Sequence, residues 1–182
     1  MNLHLQSSKS DLQAQIAITG SKSETNRLLL LQALYPNLLL ANTSNSDDSQ
    51  VMQKALKGNE EIVDIHHAGT AMRFLTAYFA VNEGREVVLT GSSRMKERPL
   101  KVLVETLQQL GAQISYENEV GYPPIRIKGQ KITNNKVSIP ANVSSQYISA
   151  LLLIAPKLEN HFHSLYQNDV GFTQRNRSGD KF

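Results

Sequence analysis

The sequence predicts an α/β protein assembled from repeated strand–helix units, and three observations carry the prediction. Short stretches with an apolar residue at every second position alternate with stretches whose apolar residues recur at helical spacing. Glycine, proline or serine punctuates the changes from one kind to the other. The order strand, helix, strand, helix, strand, strand has the rhythm of a repeated unit, although the units share little sequence.

The elements follow in order. Residues 14–20, "AQIAITG", alternate and stop at Gly20, so they read as a strand. "SETNRLLLLQAL" (23–34) reads as a helix with Ser23 as its N-cap. "NLLLANTS" (37–44) reads as a strand, and "DDSQVMQKAL" (47–56) as a helix opened by Asp47 or Asp48. "EIVDIHH" (61–67) is strand-like, and "GTAMRFLTAYFAV" (69–81) has helical spacing. After a strand at 86–91, residues 92–98 are read as extended, so that Arg94, Lys96 and Arg98 share one face. Pro99 then suits the first turn of a helix from Leu100 to Leu110, with Gly111 as its stop. "AQISYE" and "PIRIKG" read as paired strands, "KVSIP" (136–140) as another strand, and "SSQYISALLLIAP" (144–156) as a last helix. After Lys157 neither period is present.

Composition narrows the function classes. With 182 residues, 40% hydrophobic and 19% charged, the chain can bury a core and is not of disordered type. The net charge of +3 comes without a lysine/arginine block, and aromatics are only 6% with no tryptophan, which speaks against nucleic acid as partner. The absence of cysteine excludes disulfides, thiolate metal sites and a cysteine nucleophile. "MNLHLQSSKSDLQ" lacks the apolar centre of a signal peptide, and "LLLLQALYPNLLLA" is broken too early to span a bilayer. The expectation is a cytoplasmic protein with no membrane partner.

Four helix starts share one theme. "GSKSETNR" places Lys22, Ser23 and, one turn on, Arg27 where a strand turns into a helix. "HHAGTAMR" sets Gly69 at a start with Arg73 one turn later, and "RMKERP" brings three cations to the next. "VSSQ" opens the last helix with Ser144, Ser145 and Gln146. Free backbone N–H groups, hydroxyls and cations at helix starts favour anions. Each start alone is a weak signal, and for the Gly69 start and the cationic stretch taken singly a tight turn or a solvated charge run is the safer reading. Four aimed at one crevice would bind a small polyanion.

The stretches "GSKSETNR", "NTSNSDDSQVMQKAL", "AGTAMRFLTAYFA", "LTGSSRMKERPLKVLVETLQQLGA", "YPPIRIKG" and "VSSQYISALLL" closely resemble the 5-enolpyruvylshikimate-3-phosphate synthase family, collinearly from about Leu12 to Pro156. The resemblance implies the enolpyruvyl transferase fold of repeated βαβαββ units in two domains, with the active site between them, here incomplete. It implies transfer of the enolpyruvyl group of phosphoenolpyruvate to the 5-hydroxyl of shikimate 3-phosphate, with release of phosphate, in aromatic amino-acid biosynthesis. It implies no metal, no organic cofactor and a monomer. By the resemblance Lys22, Ser23 and Arg27 hold the phosphorylated shikimate, with Lys22 also facing phosphoenolpyruvate as a candidate proton donor. Gly69 and Arg94 bind phosphoenolpyruvate. Ser144 and Ser145 contact the shikimate phosphate and ring hydroxyls, and Gln146 lies near both substrates. Lys96 and Arg98 are left to support local charge and fold. His67 stands where many members carry Asn, and Phe74 where many carry Pro.

The family's chains are more than twice as long, so the expected organisation is divided. Residues 1–19 form a strand segment belonging with the other, missing domain. Residues 20–157 form a partial substrate-binding domain of about two units, and residues 158–182 a tail unlike the family. The expectation is a truncated chain without activity of its own. The alternatives are a relative of UDP-N-acetylglucosamine enolpyruvyl transferase, against which "RMKERP" and the missing cysteine argue, and a non-catalytic phosphate-binding module. His66 and His67 would point oppositely on a strand. His161 and His163 could share a face, but no third metal ligand accompanies them.

Overall fold

Four strands form one mixed sheet in the order β1–β2–β4–β3, where β1 is Ile62–Asp64, β2 Glu86–Thr90, β3 Gln113–Tyr116 and β4 Ile125–Lys128. The computed structural model describes residues 15–134, 136–140, 142–158, the backbone of 163–167, and residues 3, 4, 6 and 13. β1 and β2 run parallel, with Ile62 beside Val88, while β4 is antiparallel to both β2 and β3. Parallel neighbours need a crossover. Here α3, Gly69–Val81, supplies it, and α5, Lys101–Gln109, connects β2 to the β3–β4 pair. The succession β, α, β, α, β, β is therefore complete once, from Ile62 to Lys128. A second sheet opens with β5, Lys136–Pro140, parallel to β6, His163–Gln167, across α6, Ser145–Ile154. Two helices, α1 (Lys22–Leu34) and α2 (Asp47–Lys57), precede the sheet.

The core lies around α3. This helix is apolar on nearly every side, and such a helix is stable only when surrounded. Phe74, Leu75, Ala77 and Phe79 are out of water. The inner face of the sheet, Val87, Leu89, Ile114, Ile125 and Ile127, is buried as well. On the outer face Arg126 answers three carboxylates, at 2.8 Å from Glu117, 3.1 Å from Glu86 and 3.8 Å from Glu61. The glutamate hydrogen bonds hold its charged form, raising its pKa above the usual arginine value. α5 ends as its glycine predicts. Gly111 has φ +104, a conformation other residues avoid, and the N–H groups of Gly111 and Ala112 bond back to the carbonyls of Gln108 and Leu107.

Several expectations are corrected. Residues 15–20 and 37–44 join no ladder among the described residues. Alternation makes a strand only where a neighbouring strand completes the hydrogen bonds, and Ile16 and Ile18 stand 78% and 80% exposed. In 37–44 the extended run is also broken by Asn42, at φ 50. Among the described residues one complete unit is seen, from Ile62 to Lys128, where about two were expected in 20–157. The strand read at 61–67 stops at Asp64, whose carboxylate accepts the His66 N–H at 2.7 Å and turns the chain, with His66 at φ 50. The two histidines thus sit on a turn, not on a strand. Residues 92–98 are not extended: Ser93–Lys96 form a helical turn, α4, capped by the Ser92 hydroxyl and pinned by buried Met95. Pro99 precedes the N-cap Leu100 instead of starting α5. The caps of α1 and α2 are Ser21 and Ser46, not Ser23 or the aspartates. β6 falls inside the tail read as without periodicity, so the β5–β6 ladder crosses the expected boundary at 157/158.

Candidate functional site: three helix starts and a cationic turn

The start of α1 is held by polar groups that the core buries. Thr25 Oγ1 accepts the Ser44 N–H at 2.9 Å, and Asn26 Oδ1 accepts the Ser49 hydroxyl at 2.9 Å. These bonds fasten α1 to the start of α2 and leave Lys22 and Ser23 exposed. Lys22 Nζ lies 3.5 Å from Asp48 Oδ2, a partly exposed pair of small energetic weight. Arg27 is the link to the rest of the site. It donates to the Ser23 carbonyl at 2.7 Å and to Ser149 Oγ of α6 at 3.4 Å. Its guanidinium also lies over the buried Phe74 ring at 5.2 Å.

α3 and α6 meet at their starts. Gln146 Nε2 donates to Thr70 Oγ1 at 3.4 Å, and Arg73 lies over the Tyr147 ring at 5.7 Å. Tyr147 in turn donates its hydroxyl to the Pro99 carbonyl at 2.7 Å, which ties the turn after α4 to α6. Ser144 Oγ accepts the Gln146 N–H and caps α6, while Ser144 and Ser145 remain exposed. The Ser92 N–H donates to the His66 carbonyl at 2.8 Å, fixing the cationic turn beside the β1–α3 connection.

The geometry therefore joins Arg27 to α6 and Gln146 to α3. It leaves Lys22 with Asp48. Arg94 is exposed, without a partner among the described residues. Gly69 is buried, and the groups beside it are two guanidiniums: a methyl there would stand 2.7 Å from Arg98 Nη1 and 3.0 Å from Arg73 Nη1. Glycine at this position makes room for cations. Sequence reasoning assigned neither Arg73 nor Arg98 to a ligand. The signal for Arg73 was its place one turn after Gly69; Arg98 was one of the three cations of "RMKERP", but its approach to Gly69 is tertiary and could not be read from them.

A cleft of about 330 Å³ adjoins this region, lined by Asp47, Asp48, Val51, His66, His67 and Ala68 among others. It contains none of the expected ligand residues. Among the described residues no three histidine or carboxylate groups gather as a metal site, and no helix is long and apolar enough to cross a membrane. His161 lies outside the described residues, and of His163 only the backbone is described.

Helix starts carrying cations and free N–H groups are places that favour anions. A model of the family "EPSP synthase (3-phosphoshikimate 1-carboxyvinyltransferase)" matches residues 40–170. The chain belongs to that family. The 3-phosphoshikimate 1-carboxyvinyltransferase of Bacteroides fragilis strain YCH46 is 48% identical over 158 residues, covering 86% of this chain and 38% of that protein. The enzyme of the same name from Colwellia psychrerythraea is 40% identical over 177 residues, covering 82% and 41%. A solved EPSP synthase from Acinetobacter baumannii has a TM-score of 0.67 over 85% of this chain and 41% of its own, at 18% identity, and so shares the fold. The chain spans about two fifths of the length of these relatives. The family match reaches residue 170, past Lys157, so the resemblance extends into β6 and the stretch expected to be unlike the family.

Proposed function

We propose that this chain provides one wall of an active site that transfers the enolpyruvyl group of phosphoenolpyruvate to the 5-hydroxyl of shikimate 3-phosphate. The observation that carries this reading is that Gln146–Thr70 joins the starts of α6 and α3, while Arg27–Ser149 ties α1 to the middle of α6. In this reading Lys22, Ser23 and Arg27 hold the phosphorylated shikimate, and Ser144, Ser145 and Gln146 hold its phosphate and ring hydroxyls. Lys22, Gly69, Arg94 and Gln146 face phosphoenolpyruvate. Two anions repel each other, and cations on a common wall offset that repulsion while holding the reacting atoms together.

The reaction adds the 5-hydroxyl oxygen to the substituted carbon of the enolpyruvyl double bond as a proton goes to the methylene carbon. The hydroxyl proton passes to a base. Phosphate then leaves the tetrahedral intermediate, and loss of a proton from the new methyl group restores the double bond. Lys22 is the proton donor to the methylene carbon in this reading. The setting is a cytoplasmic monomer of the shikimate pathway, without metal or organic cofactor.

One wall of a crevice leaves the reacting groups in water, so residues 1–182 assayed alone should not turn over. The test is phosphate release with both substrates, by the 182-residue chain alone and with the remaining three fifths of a relative added as a separate polypeptide. Activity only on addition supports the reading. Turnover by the chain alone contradicts it.

A further inference from the structure

We infer that Tyr147 is a positioning residue: its hydroxyl anchors the cationic turn from Ser92 to Pro99 against the start of α6 and so sets where Arg94 stands. The hydroxyl donates to the Pro99 carbonyl at 2.7 Å, and among the described residues no other hydrogen bond joins α6 to this turn. Pro99 precedes the N-cap Leu100, so its carbonyl lies outside the α5 ladder and takes its partner from α6. Tyr147 is itself buried, with Arg73 over its ring at 5.7 Å. Phenylalanine would fill the same space; the hydroxyl serves only the bond.

The turn needs such an anchor. α4 has four residues, and a single helical turn gains too few bonds to hold itself in water. Arg94, Lys96 and Arg98 repel one another along it, and Glu97 is its one carboxylate. Fixed points at both ends supply what the turn lacks. At one end the Ser92 N–H donates to the His66 carbonyl at 2.8 Å, and Met95 is buried beneath. At the other the Leu100 N–H donates to the Gly121 carbonyl at 2.8 Å, beside the Tyr147 bond. Of these only the Tyr147 bond comes from the helix that carries Gln146, whose amide donates to Thr70 Oγ1 at the start of α3. One helix start thereby holds the turn and the α3 start in a common frame, as a supporting shell does for groups that meet a ligand. The inference rests on the proposed function only for phosphoenolpyruvate as the ligand of Arg94.

The test compares the 182-residue chain with Tyr147→Phe by amide hydrogen exchange and by calorimetric titration with phosphoenolpyruvate and with shikimate 3-phosphate. The Lys96 and Arg98 amides, bonded inside the turn to the Ser92 and Met95 carbonyls, report on the turn. The amides of β2 and β4 report on the sheet. Tyr147→Phe should speed exchange at Lys96 and Arg98 several-fold and leave the sheet unchanged. It should weaken phosphoenolpyruvate about three- to tenfold, the weight of one hydrogen bond, and leave shikimate 3-phosphate unchanged. Unchanged exchange in the turn overturns the inference. So does faster exchange in turn and sheet alike, or an equal loss for the two ligands, since the hydroxyl would then serve stability and not the position of the turn. Failure of the proposed function reads differently. Phosphoenolpyruvate binding that ignores Arg94→Ala contradicts its assignment to Arg94, while faster exchange confined to the turn still upholds Tyr147 as its anchor.

Discussion

In the unit from Ile62 to Lys128 the apolar side chains lie between a sheet and its helices; in residues 15–40 many of them face water. Phe74, Phe79, Leu89 and Ile127 are fully or almost fully buried, whereas Ile16, Ile18 and Leu39 are 78%, 80% and 92% exposed. The two regions have similar apolar content. The difference is that each strand of the unit has a neighbour to complete its hydrogen bonds, and residues 15–20 and 37–44 have none among the described residues. Burial thus follows strand pairing rather than hydrophobicity, and the site is built where paired elements hold helix starts still.

The largest expected effect breaks this comparison directly. Phe79→Ala should cost about 3–5 kcal/mol, the range for emptying a buried aromatic position. Ile18→Ala should stay within about 0.5 kcal/mol, as for exposed sites away from special features. Urea denaturation of both variants measures the pair, and equal losses would erase the distinction between the regions.

A smaller effect sharpens it, because the well-packed unit carries a polar defect. The Tyr116 hydroxyl is buried without a hydrogen-bond partner. Tyr116→Phe should therefore stabilise the chain by about 1 kcal/mol, the low end of the cost of an unsatisfied buried group. The same hydroxyl makes a pH prediction. Burial, then the nearby Glu105 and Tyr147, raise its pKa above the ordinary 10.0. The unfolded chain ionises first, so this contribution to stability is complete below about pH 10 and is lost as pH rises through the folded-state value. Denaturation at neutral and at strongly alkaline pH should show Tyr116→Phe losing less stability on the alkaline side than the parent. An identical alkaline loss would mean that Tyr116 ionises as freely as in the unfolded chain.

Local patterns were legible where a helix supplied its own bonds. α3 spans the residues that its spacing predicts, and Gly111 ends α5 in the conformation that glycine allows. The strand expected at 37–44 joins no ladder among the described residues because alternation names a face but not a partner, and for 15–20 the expectation itself placed the partner outside this chain. The stretch from Ser92 to Arg98 misled for a related reason. Cations at alternate positions imitate a strand face, while the Ser92 cap and buried Met95, three residues apart, are the marks of a helical turn. Of the site, the helix starts could be read from residue types, since caps, glycines and cations are local signals. The meeting of Arg73 and Arg98 over Gly69 could not, because it depends on how α6 and the α4 turn pack against α3.

The central claim is that the starts of α1, α3 and α6 form one anion site, with Arg27 as the bond between α1 and α6. Calorimetric titration of the 182-residue chain and of Arg27→Ala with shikimate 3-phosphate, and separately with shikimate, tests it most directly. Arg27→Ala should lose about 1.5–3 kcal/mol for shikimate 3-phosphate, the range for hydrogen bonds to a charged group, and much less for shikimate. Equal losses for the two ligands would contradict the account, for Arg27 would then support the packing of α1 on α6 and not the phosphate.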